Sequence, residues 1–231
     1  MSAPSRDEER YSEIGAGPLS RWSAAVHWAA VIELLVVLTS LPGLVGLVLL
    51  GGSASNLPLA TLCLLPMGPA LSAALFAWRH WLDVPAGDRE LSPARRFLRG
   101  YRLNWRDVLL WWGPTVVVLA VLAVGVANAA GGFRVVAVVL GAALLVWAGN
   151  ALVLSSLFAF RTRDVARLAV YYVAVRPLVA LRVLALLVVA GGLAVVATDR
   201  LVVVLASVLA LMLLQAARPL VDDAKERFTA P

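Results

Sequence analysis

The chain has 231 residues, 61% hydrophobic and 15% charged, with a formal net charge of +6. A soluble domain is about 45–50% apolar and about 25% charged. The excess lies in long uncharged runs such as 116–130 and 135–160, which excludes a disordered chain, a disulfide scaffold and a nucleic-acid-binding domain and indicates an integral membrane protein.

Residues 1–21 carry Arg6, Asp7, Glu8, Glu9, Arg10 and Glu13 and read as a flexible cytoplasmic tail. They do not read as a signal peptide, because the apolar run that follows is long enough to stay in the membrane. A spanning helix needs roughly 20 apolar residues. Six such runs occur, about 23–50, 57–79, 108–130, 135–160, 177–197 and 201–217. The expected fold is therefore all-α, a polytopic membrane bundle of six helices over 22–217, with 218–231 as a second cytoplasmic tail. The first run is interrupted by Pro42, Gly43 and Gly46, which predicts a kink or break. Short connections at 51–56, 131–134 and 198–200 predict antiparallel hairpins.

Charge sets the expected orientation. Eighteen of the twenty basic residues fall in the two tails and in the connections after the second and fourth runs; Arg134 and Arg200 are the exceptions. Lys and Arg are retained in the cytoplasm during insertion, so both termini are expected there. Trp22, Trp28, Trp78, Trp81, Trp105, Trp111 and Trp112 lie near that boundary and read as an interfacial belt, with Trp147 deeper in a span.

The connection 91–106 predicts a basic amphipathic helix in the inner interface, with Ser92 as its cap and Pro93 at its first position. Arg95, Arg99, Arg102 and Arg106 fall within about 60° of one another at 100° per residue. Phe97, Leu98, Tyr101 and Trp105 form a second stripe. The arginines read either as a docking surface for a cytoplasmic partner or anionic headgroups, or as a topology anchor. The segment from Arg163 to Arg176 is a second basic element, read as continuous with the fifth span and kinked at Pro177. The two elements hint at an internal repeat of about 70 residues.

Ionisable groups inside a bilayer are costly and mark bundle interiors or wet cavities. Glu33 lies ten residues into the first span. It reads either as a proton, cation or substrate site or as a clasp between helices. Asn150 in the fourth span is its expected partner by depth. Asn128 is read as a second interhelical hydrogen-bonding group. His27 and His80 sit beside tryptophans and read as interfacial. Cys63 is the sole cysteine and has no internal disulfide partner.

No catalytic constellation emerges. There is no His-Glu-x-x-His helix, no Gly-x-Ser-x-Gly elbow, and the one lysine, Lys225, rules out a phosphate loop of the Walker type. No catalytic residue, metal site or cofactor is expected, and no enzymatic activity.

Several short segments together resemble the YesL family of bacterial membrane proteins. They are Gly17-Pro18-Leu19-Ser20-Arg21-Trp22, Leu41-Pro42-Gly43, Pro66-Met67-Gly68-Pro69-Ala70, Ala74-Leu75-Phe76, Arg79-His80-Trp81-Leu82, and the run from Phe97 to Trp105. The resemblance spans roughly 17–115. Counting back from Gly43, Glu33 occupies a position where that family has Asn, and Val36 one where it has Trp. The resemblance implies a multi-pass protein of the bacterial plasma membrane that acts as an accessory or permease-like component of solute, in particular carbohydrate, transport. Its expected partners are the lipid bilayer, anionic headgroups and transporter subunits, with no nucleic acid. The alternative is a non-transporting membrane scaffold or regulatory protein. The small residues Gly141, Ala142, Ala143, Gly191, Gly192 and Ala194 are compatible with a homo-oligomer in either case.

Overall fold

The structure is a computed structural model that describes residues 18–50, 56–84, 92–128, 130–196 and 204–228. The first apolar run forms one helix, α1 (Pro18–Leu50), beginning at a proline whose missing N–H is no loss in a first turn. The four helical residues 18–21 belong to it, while the rest of the expected tail lies outside the described residues. The expected break at Pro42 does not occur; α1 stays helical through it. The adjoining glycines serve close approach. A Cβ at Gly43 would fall on the Cys63 carbonyl and one at Gly46 on the Cys63 thiol, so this stretch lets the next helix lie directly against α1.

The second run is helical in two pieces, α2 (Leu57–Cys63) and α3 (Met67–Asp83). Pro66 and Pro69 explain the interruption, because neither can donate to the preceding turn. In the intervening turn the Leu64 carbonyl accepts a bond from Trp112 Nε1 at 3.1 Å. Gly68 lies against the ring of the same tryptophan, where a side chain would clash. The Pro-Met-Gly-Pro segment is thus a socket for Trp112.

The basic connection and the third run are one helix, α4 (Pro93–Asn128), of 36 residues. At 1.5 Å per residue it is about 54 Å long, well beyond a hydrocarbon core of about 30 Å. This corrects the expectation of a separate interfacial helix: the basic segment is the first part of the spanning helix itself. The stripe that packs is also different. Phe97, Gly100 and Val108 are buried and Asn104 half-buried, whereas Leu98 and Trp105 are exposed. Gly100 explains the choice, since it admits the Phe76 ring of α3. The α3–α4 pair is the most extensive helix contact.

Gly131, with φ of +60°, turns the chain into α5 (Gly132–Leu157). Helix α6 (Thr162–Val175) then packs along α5 and ends at Arg176. Arg176 leaves the helical region (φ −121°, ψ 67°), because Pro177 disfavours helical backbone before it. Helix α7 (Pro177–Val196) therefore starts anew, and the expected continuity of the second basic element with the fifth span is corrected. The chain finishes with α8 (Ala206–Ala216) and α9 (Arg218–Phe228). The tail at 218–231 is thus helical over most of its length, with Leu220, Val221 and Ala224 buried.

Among the described residues, five stretches are long and apolar enough to cross a membrane: Trp22–Leu50, Leu57–Asp83, Pro93–Asn128, Gly132–Leu157 and Pro177–Ala194. The sixth run is helical over the 11 residues of α8, and 201–203 fall outside the described residues.

The tryptophans differ widely in exposure. Trp28, Trp78, Trp81 and Trp111 are buried in the bundle, while Trp22 (73% exposed) and Trp105 face outward. Trp28 packs on Trp81 at 5.0 Å between ring centres and on His80 at 6.4 Å. Trp111 meets Trp112 and Trp147 edge to face. Trp147 Nε1 donates to the Ala166 carbonyl of α6 at 3.1 Å. Inside a bilayer, apolar burial adds little drive, because lipid is as apolar as leucine. The rings act instead through close packing and, at Trp78, Trp112 and Trp147, through indole N–H groups that find backbone carbonyls outside their own helices, whereas the buried Trp111 Nε1 has no partner.

Candidate functional site

Glu33 projects from α1 toward the start of α8. Helix α8 opens without a polar cap of its own, since its N-cap residue is Leu205 and no side-chain capping bond forms there. The first amides of a helix lack intrahelical partners and carry the positive end of its dipole. Glu33 supplies the missing acceptor from another helix: Ser207 N–H donates to Glu33 Oε2 at 2.7 Å. Ser207 is fully buried (0% exposed) and all its polar groups are engaged. Its hydroxyl donates to the Ala29 carbonyl at 3.1 Å. Its own carbonyl accepts from Trp78 Nε1 at 2.8 Å. One residue of α8 is thereby tied to α1 and α3 by three hydrogen bonds. Glu33 Oε1 is buried and has no partner.

The expected pairing of Glu33 with Asn150 does not form. Asn150 is fully buried on α5, and neither its Oδ1 nor its Nδ2 has a hydrogen-bond partner. Depth along two helices says nothing about which face each side chain occupies, and it was the wrong guide. Asn128 is likewise no interhelical group; its Nδ2 returns to the Val124 carbonyl of its own helix at 3.0 Å. Ser207 was missed. The only signal was that it is the one hydroxyl in the last apolar run.

Arg95, Arg99, Arg102 and Arg106 are all exposed, along one side of the first four turns of α4. Arg106 lies over the Trp105 ring at 5.0 Å. The opposite side is fixed to the bundle, where Asn104 Nδ2 donates to Ser72 Oγ and to the Ser156 carbonyl, each at 3.4 Å. This row is therefore carried on a helix that is fixed by packing and is long and apolar enough to cross a membrane.

A second polar cluster went unread in the sequence. Asp223 of α9 is buried and accepts from Arg176 at 2.6 Å, from the Tyr172 hydroxyl at 3.1 Å and from Arg227 at 3.0 Å. The Arg176 guanidinium, with help from Tyr172 and Arg227, holds the Asp223 carboxyl below its ordinary range. Burial and the adjacent carboxylate push the Tyr172 phenol up to about 12. The cluster locks α9 onto the junction of α6 and α7. Among the described residues, no three or more His, Cys, Asp or Glu side chains come together as a metal site. Gly141, Gly191 and Gly192 have nothing within 4 Å of where a Cβ would stand, so none of them serves packing within the chain.

Residues 29–126 match the sequence model of a family described as a protein of unknown function, DUF624. The match runs from Ala29 in α1 to the last turn of α4, so it takes in Glu33, the Trp112 socket and the arginine row, but not Ser207. It overlaps the segment over which the chain resembles YesL proteins. No curated protein and no solved structure matches the chain.

Proposed function

We propose that this chain is a multi-pass protein of the bacterial plasma membrane, of YesL type, that serves solute transport as an accessory or permease-like component, carbohydrate being the expected solute. Both termini lie in the cytoplasm and the last apolar run completes a sixth crossing; the one-sided distribution of arginine supports this. Arg95, Arg99, Arg102 and Arg106 then face the cytoplasm and dock a transporter subunit or anionic headgroups. The observation that carries this reading is their exposure on a helix that is continuous with a membrane span. Such a helix joins the docking surface directly to the bundle, with Pro114 inside it. The protein carries out no chemistry of its own in this reading, and it binds neither cofactor nor nucleic acid. Copies of the chain associate through the small residues around Gly141 and Gly191.

The alternative is a non-transporting scaffold or regulator. It is favoured by the interior, where the cavity between α1, α3, α5, α7 and α8 has an almost wholly apolar lining. Affinity purification of the full chain in mild detergent separates the two. Co-purification of permease or ATPase subunits, lost when the four arginines are changed to glutamine, supports transport. A protein recovered alone, with the arginine variants unchanged in growth on the transported solute, refutes it.

A further inference from the structure

A cavity of about 240 Å³ lies inside the bundle where α1, α3, α5, α7 and α8 leave a gap. Helices α1 and α7 both line it, yet they scarcely touch each other. Its floor is buried, at Leu75, Ala148 and Leu152, whereas Leu44 and Leu186 are partly exposed. Two lining residues carry polar side-chain atoms. Trp112 spends its N–H on the Leu64 carbonyl. Ser40 is 1% exposed and its Oγ has no partner.

That hydroxyl is an exception within the fold. A serine or threonine in an apolar helix ordinarily returns its proton to the preceding turn. Thr39 does so to the Leu35 carbonyl at 2.7 Å, and Thr115 to the Trp111 carbonyl at 2.6 Å. An unpaired hydroxyl in a hydrocarbon setting is costly. Water is a poor remedy, because a buried water needs two to four polar partners and this space offers one. Apolar cavities of about 150 Å³ stay dry and take up benzene-sized molecules. This one is larger, and from Val36 to Leu44 it runs roughly 12 Å along α1 at 1.5 Å per residue. It matches an elongated apolar molecule with a single polar group.

We propose that the cavity binds one alkyl chain bearing a hydroxyl or ester carbonyl group, which pairs with Ser40 Oγ. Such a chain enters from the bilayer between α1 and α7. Glu33 stands two turns earlier on α1, is held on Ser207 and does not line the space, so this site is separate from the docking function proposed above.

The full chain in nanodiscs of phosphatidylglycerol and phosphatidylethanolamine is irradiated with a diazirine-tagged fatty alcohol. A parallel sample uses phosphatidylglycerol tagged on its acyl chain. Crosslinks are expected at Val36, Leu44, Leu152 and Val183, and the probe that labels more strongly identifies the source as free alcohol or phospholipid. Ala148→Leu and Ala210→Leu fill the space and should abolish these crosslinks. Ser40→Ala should lower them about fivefold, the effect of one lost hydrogen bond. This last variant adds no volume and keeps the test open if the filled variants fail to fold. Crosslinks confined to outward-facing Leu34, Val48 and Val188, or labelling unchanged in Ser40→Ala, would overturn the proposal.

Discussion

The backbone N–H of Ser207 donates to Oε2 of Glu33 at 2.7 Å, joining residues 174 positions apart. A carboxylate from the first span caps the helix of the last apolar run. The contact is favourable because it satisfies an orphan amide at the positive end of a helix dipole. It explains why a costly carboxylate is kept in an apolar segment, and it makes geometric sense of the clasp reading without assigning a transported ion.

Glu33→Gln keeps an acceptor for the Ser207 amide and should lower the melting temperature of the detergent-solubilised protein only slightly. Glu33→Leu removes the acceptor and leaves the amide unpaired, at about 1–2 kcal/mol. Thermal unfolding followed by circular dichroism compares them. Equal losses in the two variants would refute the capping role.

Trp78→Phe preserves most of the ring volume and deletes the bond to the Ser207 carbonyl. Hydrogen bonds between membrane helices average about 0.6 kcal/mol, with a maximum near 1.7. A loss within that range is expected, and a Trp78→Phe/Glu33→Leu double variant should lose less than the sum, because both changes release Ser207.

Gly68→Val should be among the most damaging single changes in α3. The new side chain meets the Trp112 ring, which is itself pinned on Leu64. The expected readout is a blue or red shift of tryptophan emission together with a loss of about 1–3 kcal/mol, the usual range for overpacking. Unchanged emission would show that Trp112 has room to leave its socket.

The Asp223 cluster makes the attachment of α9 dependent on pH. Asp223 titrates lower in the folded chain than in the unfolded one, so its contribution is present above the unfolded value and fades as pH falls through the folded one. Tyr172 titrates at about 12 when folded against 10.0 for the free phenol. The unfolded chain therefore loses this proton first, and stability falls as pH rises from about 10 to about 12. Trypsin cleavage at Lys225 and Arg227 should be slow at pH 8, within the working range of the protease. The thermal midpoint should fall in strong acid and again above pH 10. Asp223→Asn should make cleavage fast at pH 8 and flatten the acid limb of the midpoint.

Reporter fusions after Pro231 test the orientation. A fluorescent protein that folds only in the cytoplasm should glow there, whereas alkaline phosphatase at the same site should be inactive. The reverse pattern would remove the cytoplasmic docking role of the arginine row.

Helices long and apolar enough to cross a membrane were legible in the apolar runs, because roughly 20 apolar residues in helical form satisfy a bilayer whatever else they touch. Five of the six runs reappear as helical stretches of sufficient length, and the exposed arginine row follows directly from its spacing on one helix. The hairpin at Gly131 was likewise legible from its composition. These are properties of single segments, fixed by local periodicity and solvation. The partner of Glu33 was not legible, nor was the merging of the basic segment with the third span, nor the burial of Trp28 and Trp78. Each depends on which faces of distant helices meet, and in a bilayer that choice rests on small residues and paired polar groups rather than on hydrophobicity. Gly100 turned α4 toward Phe76, Gly68 seated Trp112, and Ser207 placed an amide beside Glu33. An apolar sequence leaves almost no record of such pairings until its helices are packed.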